Sequence, residues 1–478
     1  MGRLVVVSNR IASANDAKPG GLALAMLAAL REHGGTWFGW SGRLVDDDPG
    51  FHEERIGAVT YATLDLTHEQ HAAYYAGFSN RTLWPLFHFR PSLVDFSREA
   101  WEGYVAVNET FATHLARFVQ PDDVVWVHDY HLIPLATHLR RAGVTARIGF
   151  FLHTPFPPGD LVAMLPVHDQ LLRQLADYDV VGFQTERYLR AFREYARHEL
   201  GARITDDGIT LANGERTFVA RAFPIGIEVD EVRRMAASAV ALPACRRLAD
   251  SLRGRELVVG VDRLDYSKGL PERLRAFQHL LREHRDRLGK VVLLQIAPAS
   301  RTEVPEYREL RRDIERIAGS INGRFADPEW MPVRYVNKSY QHATLTGFYR
   351  QARVGLVTPL RDGMNLVAKE YVASQDPEDP GVLVLSRFAG AAAQMDSALL
   401  VNPYDVEATG DTLAAALRMP LAERRARWLA LMDGIEREDI GWWRDEFLDA
   451  LREAPAPREA NARAAPRAEP PSLAGTAG

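Results

Sequence analysis

"ELVVGVDRLDYSKGLPERLRAFQHLLREH", residues 256–284, reads as an apolar run, a polar turn and a helix-like segment. The run "ELVVGVD" lacks the alternation of a half-exposed strand, which marks a strand covered on both faces. Arg263 and Lys268 lie five residues apart in the turn, with Gly269 behind them. Two fixed cations at a strand-to-helix turn form a seat for an anion, and a diphosphate suits the spacing. The other reading is a pair of surface cations beside Asp262 and Asp265.

The same unit recurs in both directions. Upstream, "RLVVVSN" (3–9), "DVVWVHD" (123–129), "RIGFFLH" (147–153) and "DVVGFQT" (179–185) read as strands, with helical segments such as 20–35 and 186–200 after most of them. Downstream, "KVVLLQIAP" (290–298), "VRYVN" (333–337), "RVGLVTP" (353–359) and "GVLVLS" (381–386) continue the pattern. Apolar strands alternating with helices predict an α/β protein with parallel sheets covered on both faces. The pattern restarts near "FPIGIEVD" (223–230), and 478 residues exceed one ordinary core. We expect one domain over 1–225 and a second over 226–436. A helix over 437–453 is expected to pack back on the first domain. The Ala/Pro-rich stretch 454–478, poor in large apolar residues, is expected to be disordered.

Composition narrows the partners. Apolar content of 46% and a net charge of −5 describe a globular chain without a broad basic surface, so nucleic acid is not an expected partner. A lone Cys245 excludes an intrachain disulfide and a cysteine-built metal site, and suits a reducing, cytoplasmic setting. The start "MGRLVVVSNR" reads as a first strand and not a signal peptide, and no run approaches the ~20 apolar residues of a membrane span. Only five of the 58 basic residues are lysines, at 18, 268, 290, 338 and 369. A lysine in such a chain marks a place where a compact ammonium is useful.

In such sheets ligands bind beyond the carboxyl ends of the strands. That filter selects Asn9, Arg10, His128, Asp129, His153, Thr154, Gln184, Arg263, Lys268, Arg301, Arg361 and Asp362. In "VTPLRDGMNLVAKEYVASQ" (357–375), Asp362–Gly363 signals a turn, and Asn365, Leu366, Lys369 and Glu370 fall in the first turns of a helix. Unpaired N–H groups at that start would point into a cleft. Glu370 could grip a ribose and Asp362 a sugar hydroxyl; the other reading is a helix cap by Asp362 and an exposed Lys/Glu pair. Arg10 with Gly20–Gly21 could meet a phosphate or form a plain turn. His128, Asp129, His131 and His153 could bind a metal, though their spacing matches no zinc motif, or bond to sugar hydroxyls, and His128 or His131 could be a plain buried, hydrogen-bonded histidine. The aromatic stretch "YYAGFSNRTLWPLFHFR" (74–90) follows no recognised strand and is either a sugar-phosphate pocket or a hydrophobic loop core.

Taken together, "RLVVVSNR", "FGWSG", "FSNRTLWPLFHFR", "WVHDYHL", "IGFFLHTPFP", "DRLDYSKGLPERL", "IAPASR" and "LVTPLRDGMNLVAKEYVA" resemble the trehalose-6-phosphate synthases, retaining glycosyltransferases of family 20. The resemblance covers residues 1–453 in order. It implies a GT-B fold, two Rossmann-like domains facing each other across a cleft. It implies a nucleotide-diphospho-glucose donor, with UDP expected and GDP or ADP the alternatives, and glucose-6-phosphate as acceptor. The product would be α,α-trehalose-6-phosphate, for trehalose biosynthesis and stress response. No required metal or other cofactor is implied, and a homo-oligomer, dimer or tetramer, is expected.

Carried over by position, the resemblance puts Arg263 and Lys268 on the donor diphosphate, with Gly20 and Gly21 against it. Tyr340 would lie near the nucleobase. The run Asp362, Gly363, Met364, Asn365, Leu366, Val367, Ala368, Lys369 and Glu370 would hold the donor glucose and ribose. Arg10, Tyr75, Trp84, Asp129 and Arg301 would form the acceptor pocket, His153 would face the transferred glucose, and Trp84 and Thr154 would set acceptor selectivity. Arg263, Lys268, His153 and Asp362 form the expected catalytic set. The chain departs from the family in a short loop at 11–19, in Tyr340 where the family has Phe, and in Thr154 where some members have Ile. A glucosylglycerol-phosphate synthase and a non-catalytic sugar-phosphate sensor are the competing functions. A bifunctional synthase–phosphatase would need an added phosphatase domain, and the length leaves no room for one beside the 453 residues of the resemblance.

Overall fold

The structure, a computed structural model, describes residues 2–11, 26–27, 30, 34–47, 49–206, 208–212, 216–300 and 304–454. Gly20, Gly21, Arg301 and the predicted tail from 455 onward lie outside the described residues. Among the described residues the strands form two sheets. The first contains β1 (Leu4–Arg10), β2 (Gly35–Val45), β3 (Phe51–Ile56), β4 (Val59–Thr67), β5 (Val124–His128), β6 (Arg147–Leu152), β7 (Val180–Phe183), β8 (Arg203–Thr205), β9 (Gly208–Thr210) and β10 (Thr217–Ala222). Their order is β3-β4-β2-β1-β5-β6-β7-β10-β9-β8. The middle is parallel; β3, β8 and β9 pair antiparallel at the edges.

The second sheet contains β11 (Glu256–Val261), β12 (Val291–Ile296), β13 (Val333–Val336), β14 (Val354–Val357), β15 (Val382–Ser386) and β16 (Leu399–Val401). It is parallel throughout, in the order β13-β12-β11-β14-β15-β16. All six residues of β12 are buried, as expected for a strand with helices on both faces. Each sheet reverses its winding once, between β1 and β5 in the first and between β11 and β14 in the second. Such a reversal opens a crevice at the carboxyl ends of the flanking strands. The quoted stretch 256–284 supplies one side of the second crevice.

Two chain crossings join the sheets. After β10, residues 223–228 lead to the helix Val229–Ala239, which packs on the helices His342–Gln351 and Leu366–Ala373 of the second sheet. Later the helix Ile440–Glu453 returns to β6 and β7. Its Trp443 and Phe447 rings lie 4.9 and 4.7 Å from the Trp126 ring. Gly149 and Gly182 make room, because a Cβ at either would press on the Phe447 ring. The crossings touch where the Ile440 N–H donates to the Ile227 carbonyl (3.2 Å).

The stretch 74–90 is not a loop. It follows β4 and is helical, a wide π-helix over His71–Leu83 continued by an α-turn over Trp84–Phe87. A capping box between Thr67 and Gln70 starts it. Strands β2 to β4 carry no clear strand pattern in the sequence. Polar and glycine residues such as those of "FGWSGRLV" interrupt β2 and blur its period.

Candidate active site

In the turn after β11 the two acidic side chains are bonded to partners other than Arg263 and Lys268. The Asp262 carboxylate pairs with the fully buried Arg273 (2.7 Å), which also donates to Thr358 Oγ1 (3.0 Å) and Gln295 Oε1 (3.1 Å). Asp265 accepts from the Ser267 N–H (2.9 Å) and the Tyr307 hydroxyl (3.0 Å). Both acidic neighbours are therefore engaged in holding the turn. Gly269 has φ +63°, and a Cβ there would strike the Thr358 carbonyl, so glycine is required. Arg263 is exposed, and among the described residues no carboxylate pairs with it. Its guanidinium lies 5.9 Å from the Trp84 ring of the first domain.

Lys268 reaches across the second crevice to Asp362, which follows β14. Its Nζ lies 2.5 Å from Asp362 Oδ2, and Asn365 Nδ2 donates to the same oxygen (3.0 Å). Burial alone would raise the Asp362 carboxyl, but the Lys268 ammonium and the Asn365 bond hold it below the usual carboxylate range. The helix beginning at Leu366 is capped by Asn365, whose Oδ1 accepts from the Ala368 N–H (3.2 Å), and not by Asp362. That settles one sequence alternative, and it removes the Ala368 amide from the set expected to face a ligand. Asn365 manages this at φ +81°, a conformation asparagine tolerates better than most residues.

The rest of the run divides. Met364 is buried, and its carbonyl accepts from the Ala391 N–H (2.8 Å). Leu366 and Val367 open the helix. Glu370 pairs with His342 Nε2 (3.3 Å), which raises the imidazole's pKa. The Lys369 side chain corrects the expectation: it is wholly buried and donates to the Ile225 carbonyl (2.7 Å) in the chain crossing, so its ammonium is not presented to the cleft. Tyr340 stacks edge-on against Phe348 (5.2 Å) with the Lys338 ammonium 5.1 Å from its ring.

The first domain presents an opposing wall. Arg10 ends β1 with its guanidinium 5.7 Å from the Trp40 ring. Tyr75 packs against the same Trp40 (5.8 Å) and stacks on His131 (5.9 Å), so Trp40 brings Arg10 and Tyr75 to one place. Asp129 directly follows β5 at φ +76° and accepts from the His153 N–H (3.2 Å). Burial pushes its carboxyl up to about 6, against the pull of nearby amide N–H groups and Arg263. His153 directly follows β6, and burial pushes its pKa down to about 3, which leaves it neutral at pH 7. Its Nε2 meets His128 Nδ1 at 3.1 Å. Thr154 is buried, and its Oγ1 has no hydrogen-bond partner among the described residues. No group of three or more His, Cys, Asp or Glu among the described residues is arranged to hold a metal ion.

The two walls meet at Gly363 and His153: a Cβ on Gly363 would collide with the His153 carbonyl oxygen. Tyr188 of the first domain donates to the Asp362 carbonyl (2.8 Å), and Arg361 is stacked 4.1 Å from the Phe89 ring. Sequence reasoning missed Tyr188, and it did not single out Phe89 and His88 within the aromatic stretch 74–90. The last is buried and bonded to the Trp84 carbonyl (2.8 Å), with a pKa pushed down to about 4 by burial. None of the three stands at a strand end, so the strand-end filter passes over them.

Comparison with known proteins agrees with this geometry. Residues 4–453 match the profile of glycosyltransferase family 20. The chain is 47% identical over 464 residues to the trehalose-6-phosphate synthase of Enterobacter sp. (strain 638), covering 96% of this chain and 98% of that protein. It superposes with a TM-score of 0.91 and 47% identity on an α,α-trehalose-phosphate synthase (UDP-forming) from Burkholderia xenovorans in complex with glucose-6-phosphate, covering 94% and 100% of the two chains. An E. coli structure bound with UDP-2-fluoro glucose matches with a TM-score of 0.91 and 45% identity over 95% of this chain and 99% of that one. With two facing doubly wound sheets of this kind and a family match along nearly its whole length, the chain belongs to glycosyltransferase family 20 and has the GT-B fold.

Proposed function

We propose that the chain transfers glucose from UDP-glucose to glucose-6-phosphate with retention, forming α,α-trehalose-6-phosphate for trehalose biosynthesis. The observation that carries this reading is the pairing of two crevices. One holds Arg263 and Lys268 with their acidic neighbours diverted; the other holds Arg10, Tyr75 and Asp129. A cationic seat facing a polar, aromatic-lined wall suits a diphosphate on one side and a sugar phosphate on the other. The relatives solved with glucose-6-phosphate and with UDP-2-fluoro glucose support the same assignment.

In this reading Arg263 and Lys268 hold the diphosphate, with Gly20 and Gly21 against it, and Tyr340 lies near the base. Asp362 and the start of the following helix hold the glucose, and Glu370 holds the ribose. Arg10, Tyr75 and Arg301 hold the acceptor phosphate. Trp84, Asp129 and Thr154 shape the acceptor site, and the neutral His153 faces the transferred ring. Double displacement would need a free carboxylate on the face opposite the leaving group. Asp362 is tied to Lys268, Glu370 to His342, and Asp129 is assigned to the acceptor, so this reading takes the reaction on the front face. The bond from glucose C1 to the diphosphate oxygen breaks, and that oxygen takes the acceptor hydroxyl's proton as the new C1–O bond forms. Arg263 and Lys268 stabilise the growing negative charge, so no metal ion is assigned to the reaction.

The direct test is a matrix of UDP-, GDP- and ADP-glucose against glucose-6-phosphate and glycerol-3-phosphate, scored by product mass. The expected product is trehalose-6-phosphate from UDP-glucose. Product from glycerol-3-phosphate alone, or binding without turnover, overturns the proposal.

Asp129 adds a pH signature. An acceptor hydroxyl donates to its carboxylate, which is ionised only above about 6. The KM for glucose-6-phosphate should therefore rise as pH falls through about 6. Glucose-6-phosphate loses its own second proton near the same pH. The readout is accordingly the difference from Asp129→Asn, which should lack the Asp129 step. Identical profiles would remove Asp129 from acceptor binding.

A further inference from the structure

Ile225 lies in the crossing between the sheets, and each of its backbone polar groups is held by a different domain. Its N–H donates to Gln184 Oε1 (3.1 Å), at the end of β7. Its carbonyl accepts from Lys369 Nζ (2.7 Å), on the helix that starts beside Asp362. Both side chains are buried, Gln184 with 1% and Lys369 with 0% of its surface exposed. With the Gln184 oxygen committed to Ile225, its NH₂ group faces His153 Nδ1 at 3.3 Å. That nitrogen must accept, so the His153 proton sits on Nε2 and is donated to His128 Nδ1 (3.1 Å).

Lys369 is placed at a cost that packing alone does not explain. Burial pushes its pKa down to about 7, and Glu438, the carboxylate that acts against this, is already bonded by Gln394. A leucine or methionine would fill the space without desolvating an ammonium. The lysine ties the helix that carries it to the crossing.

We infer that Gln184 and Lys369 are positioning residues: together they clamp Ile225, so that the donor helix and the His153 imidazole keep one relative position, and Gln184 sets the His153 tautomer. The clamp deepens the glucosyl-transfer reading and rests on it for its kinetic consequences. Lys369→Met removes the bond to the carbonyl and keeps the bulk. Gln184→Glu keeps an acceptor for the Ile225 N–H but offers His153 Nδ1 a carboxylate, which favours the opposite tautomer.

The experiment combines kinetics with ¹⁵N NMR of the imidazoles in the full chain. A mispositioned group costs up to about 10²-fold in rate. Lys369→Met and Gln184→Leu should each lower kcat well beyond their effect on either KM, with Lys369→Arg recovering part. The double variant should lose no more than the worse single one, since both act through Ile225. The wild type should show the Nε2–H tautomer of His153 and Gln184→Glu the Nδ1–H form. Multiplicative losses in the double variant, or wild-type kcat in Lys369→Met, overturn the clamp. An unchanged tautomer in Gln184→Glu overturns the role of Gln184. The NMR result does not depend on turnover, so failure of the transfer reading would appear separately, as a wild type without product.

Discussion

Lys268→Ala is expected to lower kcat about 10²-fold, close to 2.7 kcal/mol of transition-state stabilisation, while donor affinity changes far less. The diphosphate gains negative charge as the glycosidic bond breaks, so an ammonium beside it acts more strongly on the transition state than on the bound donor. The structure adds a second contribution. Lys268 also keeps the half-buried Asp362 ionised, and without it the carboxyl loses its cation and rises toward protonation. A protonated Asp362 binds a sugar hydroxyl as a different group. Lys268→Arg keeps the charge but needs room for a planar fork where the lysine side chain has only 14% exposure, so it should recover part of the rate. Steady-state kinetics with donor-binding calorimetry on the three proteins decides the matter. Wild-type turnover in Lys268→Ala would show that the leaving group finds its charge elsewhere.

Gly363→Ala should be as damaging although it removes nothing. The added methyl would run into the His153 carbonyl oxygen and the Thr154 Cα of the opposite domain. The φ of Gly363 is not among the left-handed ones, so alanine suits the local backbone and the conflict lies between the domains. They would be held apart where donor and acceptor must meet. Poor alignment of the reactants should cost about 10²-fold or more in kcat/KM. The melting temperature should stay within about 4 °C, because each domain keeps its own core. Gly319→Ala, with open space around the new methyl, is the matched control and should be silent. Normal kcat/KM in Gly363→Ala would mean that catalysis does not need this close approach.

How the strands and cations were read from sequence, and how the aromatic stretch was misread, has one explanation. A strand covered on both faces must be apolar along its length, and a helix start must satisfy its own N–H groups. Both conditions are met within a dozen residues, so β1, β5, β6, β7 and β11 to β15 could be recognised locally. Residues 35–67 form three strands with mixed patterns and exposed edges, and β3 shows five exposed residues in six. That segment carried no clean period. The helix over 71–83 has buried polar residues, Ser79, Asn80 and Thr82 among them, so its amphipathic stripe is weak.

The amino-acid sequence by itself determined that the chain is α/β, where the pattern restarts, which turn carries the cations, and which family it resembles. Its strand-end residues were sufficient to nominate most of the site. The tertiary structure alone decided what each nominated side chain touches. Lys268 meets Asp362 across 94 positions, and Lys369 meets Ile225 across 144. Those pairings follow from the strand order, which places β11 beside β14 and lets the crossing lie against the helix after β14. Strand order is a property of the whole packed sheet, and no window of sequence contains it. Only there does one lysine become a partner of the cleft carboxylate and the other a clamp on the crossing.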